Sequence, residues 1–328
     1  MSQMEPQALA PAPADSAGAG APFSTKRRRR RYSLLTRRDK LMLTLMVGIP
    51  LTIFLILIWA MALVSVVLSF TDWQGIGPLH FVGLQEYQYL FTGYPSFWPA
   101  LSHNLLWLMF FVCIATPIGI LLAVLLDRPL RGSRIYQSIF FTPVVLSLAV
   151  VGFIWELQYS PIAGHGFIDS FLAATGLVNA ANTPDWLGDK SINIWAVLVA
   201  ASWRHIGYIM VLYLAGLKSV DPSLREAAAI DGASESQTFF HVVFPVMAPI
   251  NVVIVVVTVI ESLRAFDIVY IINHGKNGLE LLSTLITNNS ISEASLIGFG
   301  SAIAVVLLVI SLVPIVLYLT RVMRTEEQ

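Results

Sequence analysis

Residues 226–232 read Glu-Ala-Ala-Ala-Ile-Asp-Gly, and nine residues later the chain reads Val-Val-Phe-Pro at 242–245. This helix-prone, soluble-looking stretch lies between two long apolar runs. A helix is expected to begin just before it at Asp221-Pro222, because Asp caps free amide groups and Pro is pre-organised at the first helical position. Gly232 is expected to end that helix, since glycine adopts a positive φ at little cost. The stretch therefore predicts two short helices joined at an angle.

Small residues occupy one face of the first short helix. Leu224, Ala227 and Ala228 lie on that face at helical spacing. The alanines keep the face thin, so that another protein can approach the backbone closely. A second short helix is expected to begin at Thr238, with Pro245 at the entry to the next apolar run. An ordinary amphipathic loop is the alternative, but small residues on a loop without a partner serve no purpose by themselves.

The composition is that of a membrane protein. Of 328 residues, 56% are hydrophobic and 12% are charged, and the mean hydropathy is +0.73. The charged fraction is about half that of a soluble domain. The apolar runs long enough to cross a bilayer as helices are 41–70, 100–126, 135–156, 193–217, 246–272 and 297–320. Because these runs lack the alternation of barrel strands, the predicted fold class is all-α, a polytopic helical membrane protein of about six transmembrane helices.

The basic residues are distributed unevenly about these runs. Sixteen of the twenty Lys and Arg residues lie on one side, and only Lys190 and Lys276 lie on the other. The positive-inside rule then places both termini in the cytoplasm. We interpret the basic run Lys26–Arg31 as a topology signal that contacts membrane lipid rather than nucleic acid, since it precedes an apolar run and contains no aromatic residue.

Three regions follow from this topology. Residues 1–40 are predicted to be a disordered, basic cytoplasmic tail, because residues 1–25 are rich in Ala, Pro, Gly and Ser. Residues 41–324 are the transmembrane domain, with a cytoplasmic loop at 218–245, and residues 325–328 are the cytoplasmic C-terminus. The sequence contains no phosphate-binding G-x-x-x-x-G-K-[ST] motif, metal cluster or catalytic constellation. No cofactor, metal or enzymatic activity is therefore expected of this chain.

The loop pattern is Glu-Ala-Ala, three residues, Gly, nine residues and an aliphatic-x-aromatic-Pro ending. It resembles the coupling loop of the membrane subunits of bacterial ABC importers. Residues 81–87 resemble a turn of the same family that leads into the second span. The likeness covers roughly residues 40–320 and is closest to the maltose-type, carbohydrate-uptake class and its F-like permease. Residues 273–278 depart from the Gly-Gly-Pro of the family. The resemblance implies the ABC importer permease (MetI-like) fold.

The resemblance further implies that the loop docks on a cytoplasmic ATPase. In the family, the Glu matching Glu226 supports the loop and its ATPase contact, and the Gly matching Gly232 permits the turn. The predicted coupling residues are Glu226, Ala227, Ala228, Asp231, Gly232 and Pro245. The implied partners are a second permease, a dimer of ATPase subunits that bind ATP and Mg, an extracytoplasmic solute-binding protein and the lipid of a bacterial cytoplasmic (inner) membrane.

Polar residues within the fourth and fifth apolar runs form a second candidate site. A charge in hydrocarbon is costly and normally faces a partner or a cavity. A sugar site needs groups that hydrogen-bond hydroxyls and aromatic rings that stack on C–H faces. The predicted substrate-pathway residues are Arg204, His205, Tyr208, Glu261, Ser262, Arg264 and Asp267. The alternative for the charged members is a set of structural ion pairs between helices.

The predicted function is that of a permease subunit of a binding-protein-dependent ABC importer, which forms half of the pathway for a sugar or oligosaccharide. The same machine importing glycerol phosphate or another polyol derivative is the alternative, and an anionic cargo would favour Arg204 and Arg264 as ligands. A membrane-embedded enzyme is a remote alternative, because the sequence contains no catalytic constellation.

Overall fold

The computed structural model describes residues 36–128, 130–160, 166–176, 184–292 and 295–326. The α-helices in these ranges are α1 Arg37–Phe54, α2 Met61–Leu68, α3 Gln85–Thr92, α4 Phe97–Phe110, α5 Thr116–Asp127, α6 Ser133–Val145, α7 Leu148–Gln158, α8 Phe167–Ala174, α9 Asn193–Leu217, α10 Pro222–Ile230, α11 Glu235–Thr238, α12 Phe244–Val246, α13 Ala248–Leu263, α14 Asp267–Asn273, α15 Leu282–Thr287 and α16 Ile297–Glu326. The π-helical segments are Leu55–Ala60, Phe111–Ala115, Phe239–Val243 and Asn288–Ser292. The described residues include no strand, only an isolated bridge between Thr71 and Phe81.

These helices provide four to six candidate membrane spans. Four single stretches are long and apolar enough to cross a bilayer, and two bent helix pairs make six if each pair is one span. In chain order the six spans are Arg37–Leu68, Phe97–Asp127, Ser133–Val145 with Leu148–Gln158, Asn193–Leu217, Glu235–Val246 with Ala248–Asn273, and Ile297–Tyr318. The prediction of an all-α, multi-span membrane protein is confirmed.

The third span, predicted as a helical span at 135–156, is formed by two helices. It bends by 101° between α6 and α7. Ser147 adopts an extended backbone, and its hydroxyl accepts a hydrogen bond from the amide of Val150 at 3.3 Å. This is the geometry of a helix N-cap, so α7 starts afresh at that point.

The fifth span departs from the predicted helix at 246–272 in two places. It bends by 79° at Met247, between Pro245 and Pro249. Each proline ring removes an amide donor from the helix, which weakens it there. The span is interrupted again between α13 and α14, where residues 264–266 are not helical. Irregular backbone at membrane depth is tolerated where it is buried in protein or lines a cavity.

Contacts divide the chain into two units, Met1–Leu57 and Ile58–Gln328. The described part of the first unit is mainly α1, none of whose residues is buried. A reciprocal cap starts this helix, because the Thr36 hydroxyl accepts the Asp39 amide at 3.2 Å and the Asp39 carboxylate accepts the Thr36 amide at 3.0 Å. The helix thus begins at Arg37, inside the predicted tail, of which residues 1–35 lie outside the described ranges.

Helix α9 is the most buried of the single-helix spans and packs against α5, α6 and α13 in the second unit. Its packing is close. A Cβ added at Gly207 would lie only 2.1 Å from the carbonyl oxygen of Phe140 on α6. Because this contact requires glycine, it fixes the rotation of α9 about its axis. Arg204 and His205 lie on the same helix, within one turn of Gly207.

Candidate substrate cavity and coupling loop

Residues of spans two to five line a partly open cavity of about 240 Å³. The residues that line it are Trp107, Phe111, Leu148, Ala201, Arg204, His205, Ile260, Glu261, Arg264, Ala265, Phe266, Asp267 and Ile268. The structure therefore brings five of the predicted pathway residues together on one wall: Arg204, His205, Glu261, Arg264 and Asp267. The non-helical residues 264–266 of span five form part of the same wall.

The structure brings the other two predicted pathway residues, Ser262 and Tyr208, to packed positions instead. Ser262 is 0% exposed, and its hydroxyl donates to the carbonyl of Val259 at 3.0 Å. It follows Glu261 directly, and one residue turns a helical side chain by about 100°. Tyr208 packs against the apolar cluster that joins α5, α9 and α13. Neither side chain lines the cavity, contrary to the prediction.

An ion pair joins span four to span five on the cavity wall. Nη1 of Arg204 lies 3.4 Å from Oε2 of Glu261, and their side chains are 23% and 40% exposed. Arg204 and Glu261 therefore form an ion pair between helices and also line the cavity. Arg264 and Asp267 form no ion pair with another residue of the described ranges.

His205 joins three spans through a buried hydrogen-bond cluster. Its Nε2 lies 3.1 Å from the hydroxyl of Thr116 on span two and 3.5 Å from that of Thr258 on span five. The two hydroxyls are 3.1 Å apart. The ring of Phe111 lies 4.4 Å from the imidazole, centroid to centroid. Sequence reasoning missed both threonines, because nothing in their spacing marks them as partners of a histidine.

Aromatic rings form part of the apolar lining of the cavity. Trp107 and Phe111 are 1% and 3% exposed. Phe266 stacks on Tyr270 with centroids 5.0 Å apart and an interplanar angle of 23°. Sequence reasoning noted Phe266 in span five but did not single out Trp107 or Phe111. The signal available was the spacing of Trp107 and Phe111, four residues apart on one face of span two.

The first helix of the loop forms as predicted. Helix α10 begins at Pro222, and the carboxylate of Asp221 accepts the amide of Ser223 at 2.9 Å. Hydrogen bonds from the Ser223 backbone and side chain hold the pKa of Asp221 below its ordinary value, because they stabilise the carboxylate. Gly232 then has φ +78°, with open space where a Cβ would be. The positive φ expected at this turn is confirmed.

The second helix begins earlier than predicted, at Glu235 rather than Thr238. Ser234 and Gln237 form a capping box: the Ser234 hydroxyl accepts the Gln237 amide, and the Gln237 side chain accepts the Ser234 amide at 2.8 Å. The Ser-x-x-Gln spacing was the sequence signal for this start. Pro245 lies within α12, ahead of the bend at residue 247.

Most of the predicted coupling residues lie on the surface of the loop. Glu226, Ala227, Asp231 and Gly232 are exposed. Ala228 is only 7% exposed and packs inward. The prediction that it shares one exposed face with Ala227 is therefore wrong. The side chains in question are one residue apart and thus point about 100° apart around the helix.

An apolar edge, formed by Leu224, Ala227 and Ile230, runs along the exposed face of α10. Ile230 is 86% exposed, and Phe240 in the π-helical segment Phe239–Val243 is 63% exposed. Leu224 is 37% exposed. Contiguous exposed apolar residues are typical of surfaces that contact another protein or a membrane.

Two ion pairs attach the loop to the end of span two. Arg225 of α10 pairs with Asp127 at 2.9 Å, and their side chains are 41% and 15% exposed. Glu235 of α11 pairs with Arg128, and these side chains are 82% and 54% exposed. Both short helices are thus fixed to one neighbouring span, the more buried pair holding α10.

Comparison with known proteins assigns the chain to a family. The model of the family described as "Binding-protein-dependent transport system inner membrane component" matches residues 115–324. The match includes the loop and most of the cavity wall. The chain belongs to this family. The predicted importer permease is therefore confirmed, and the chain is a transport subunit rather than an enzyme.

Individual relatives agree with this assignment. A probable ABC transporter permease of Pyrococcus horikoshii is 32% identical over 267 residues, which are 80% of this permease and 89% of that protein. The xylose/arabinose import permease XacH of Haloferax volcanii is 31% identical over 270 residues, 81% of this permease and 83% of that protein.

A solved structure shows the same fold. A chain in the crystal structure of a bacterial ABC transporter that imports the acidic polysaccharide alginate aligns with a TM-score of 0.74 and 20% identity. The alignment covers 88% of this permease and 96% of that chain. The predicted importer permease fold is confirmed by this likeness.

Proposed function

We propose that this permease forms half of the translocation pathway for a sugar or oligosaccharide, and that the cavity is part of that pathway. The composition of the cavity wall carries the proposal, because the rings of Trp107, Phe111 and Phe266 lie beside the polar groups of Arg204 and Glu261. Rings offer faces for sugar C–H groups, and the polar groups offer hydrogen-bond donors and acceptors for hydroxyls. The Haloferax volcanii relative named for xylose and arabinose import supports the same class of cargo.

Glycerol phosphate or another anionic polyol derivative is the less favoured cargo. Arg204 is already paired with Glu261, and the carboxylate of Asp267 lies on the same wall. A phosphate in this cavity would therefore meet carboxylates as well as guanidinium groups. A neutral cargo rich in hydroxyls meets no such repulsion.

The loop at 218–245 is proposed to dock on a cytoplasmic ATPase that binds ATP and Mg. The exposed edge of Leu224, Ala227 and Ile230 gives that partner an apolar surface to cover. The positively charged residues around the loop support a cytoplasmic location for the loop and for both termini.

A second permease and an extracytoplasmic solute-binding protein complete the proposed importer. The family is described as serving binding-protein-dependent transport. In the single chain, the side chain of Glu261 is 40% exposed and Arg264 is exposed. Partly open cavity residues suit a pathway wall that a second permease closes.

Reconstitution of the complete importer tests this function. The permease is coexpressed with the second permease, the ATPase and the binding protein of its gene neighbourhood, and the complex is placed in proteoliposomes with ATP and Mg. We expect ATP-dependent uptake of at least one of xylose, arabinose, maltose and maltotriose. Uptake of glycerol 3-phosphate alone would overturn the sugar assignment. The permease by itself should hydrolyse no ATP above background.

A further inference from the structure

Asn104 on α4 connects two helix ends through its side-chain amide, which is 0% exposed. Its Nδ2 donates to the carbonyl of Leu263 at 3.4 Å, and its Oδ1 accepts the amide of Leu282 at 2.9 Å. Leu263 is the last residue of α13, and Leu282 is the first residue of α15. The terminal carbonyls and amides of a helix have no partner within that helix. One side chain therefore supplies a partner to each of these two helix ends.

The carbonyl that Asn104 binds lies at the interruption of span five. Residues 264–266 follow it directly, are not helical and line the cavity. A second hydrogen bond reaches the same interruption from α15, since the Ser283 hydroxyl donates to the carbonyl of Ala265. Asn104 and Ser283 thus bind the backbone on both sides of Arg264, an exposed residue of the cavity wall.

We propose that Asn104 is a positioning residue of the translocation pathway, which fixes the interruption of span five and so sets where Arg264 and Phe266 meet the sugar. The inference rests on the proposed function. Asn104 is not among the described residues that line the cavity. It therefore acts on the sugar through residues 264–266 rather than by contact. Backbone that lacks helical hydrogen bonds depends on such side-chain partners for a defined position.

Asn193, the first residue of α9, provides a matched control. Its side chain is also 0% exposed, and its Nδ2 donates to the carbonyl of Asn277 at 2.7 Å. Neither Asn193 nor Asn277 is among the described residues that line the cavity. Asn104→Leu and Asn193→Leu therefore remove the same buried amide group from a span, but only the first releases the cavity-lining interruption.

The test measures sugar uptake and ATP hydrolysis together, in proteoliposomes that contain the complete importer, its binding protein, ATP and Mg. The sugar is whichever of xylose, arabinose, maltose and maltotriose the wild type carries. The readout is the number of sugar molecules carried per ATP hydrolysed. Because this ratio does not depend on how much importer has assembled, it separates a displaced cavity wall from a simple loss of protein.

We expect Asn104→Leu to lower the sugar carried per ATP about tenfold, the factor that corresponds to one lost hydrogen bond of about 1.4 kcal/mol. Asn193→Leu should keep the wild-type ratio, whatever the amount of importer that assembles. Ser283→Ala removes the second bond to the interruption by a smaller change and should lower the ratio about threefold. This variant covers the case in which Asn104→Leu fails to assemble.

The outcomes are distinct. Ratios for Asn104→Leu and Ser283→Ala within about twofold of the wild type, less than the effect of one hydrogen bond, would overturn the positioning role. An equal fall in the ratio for Asn193→Leu would also overturn it, since the loss of any buried amide would then have the same effect. A wild-type importer that carries none of these sugars would instead sink the proposed function.

Discussion

The loop at 218–245 and the cavity are assembled in opposite ways. The loop takes its shape from Asp221, Gly232 and Ser234, whose caps and backbone angles involve neighbours within a few residues. The cavity joins Trp107 of span two to Glu261 of span five, residues far apart in the sequence. A helix cap or turn in the loop can be substituted without disturbing the spans, whereas a cavity residue has partners on other helices. Substitutions in the two regions should therefore impair transport in different ways.

Helix α5 contacts both the cavity wall and the loop. At its start, the hydroxyl of Thr116 lies 3.1 Å from Nε2 of His205, beside the cavity. At its end, Asp127 pairs with Arg225 of the loop. One helix therefore contacts both the loop and a residue of the cavity wall.

The largest effect is expected from Gly232→Pro in the loop. Proline fixes φ near −65°, whereas Gly232 has φ +78°. The angle between the two short helices is then lost while the spans remain intact, so uptake should fall to background, about a hundredfold. Sugar uptake and the amount of permease in the membrane are measured together.

Gly232→Ala is the graded control for this prediction. A Cβ at this position meets no atom within 4 Å, so only the positive φ is strained, at about 1 kcal/mol. Its uptake should lie between those of wild type and Gly232→Pro. Normal uptake by membrane-inserted Gly232→Pro would show that the turn has no part in coupling.

An intermediate effect is expected from Glu261→Ala in the cavity. The substitution removes an acceptor from the substrate wall and leaves Arg204 without its partner, so uptake should fall about tenfold while the subunits still copurify. The charge-swapped pair Arg204→Glu with Glu261→Arg separates the two causes. Recovery of uptake in the swapped permease would mean that the residues serve only as an interhelical ion pair.

The smallest effects are expected where the loop meets span two. Asp127→Asn should lower uptake about threefold, because Asp127 is only 15% exposed and its bond to Arg225 is partly shielded from solvent. Glu235→Gln should change uptake by less than about twofold, since an 82% exposed ion pair contributes little. A larger loss from Glu235→Gln than from Asp127→Asn would contradict this order.

The loop was more predictable from sequence than the cavity, for a physical reason. The Asp-Pro start and the glycine turn depend on the residues themselves and their near neighbours, so Asp221 and Gly232 could be assigned directly. The start at Ser234 was equally local, but its capping box was overlooked. Ala228 was misplaced because the side of α10 that packs inward depends on tertiary contacts.

The composition of the cavity wall, by contrast, could not be predicted in full without the folded structure. A charged residue inside a span indicates a cavity or a partner, and this placed Arg204 and Glu261 correctly. The presence of a charge does not reveal how a helix is rotated about its axis. Because of that rotation, Ser262 is packed inside the protein although it is next to Glu261. Trp107 and Thr116 come from span two, whose contact with α9 depends on close packing that no single stretch of sequence reveals.

Crosslinking from Ile230 is the most direct test of the claim that the loop meets the ATPase. Ile230→Cys and Ile76→Cys are compared in a Cys113→Ser background, since Cys113 is the only cysteine. Ile230 and Ile76 are 86% and 92% exposed, so both thiols should accept a maleimide carrying a benzophenone. On illumination of the assembled importer, the group at 230 should form a covalent adduct with the ATPase and the group at 76 should not. An ATPase adduct at 76, or its absence at 230 in a complex that copurifies and transports, would contradict the account.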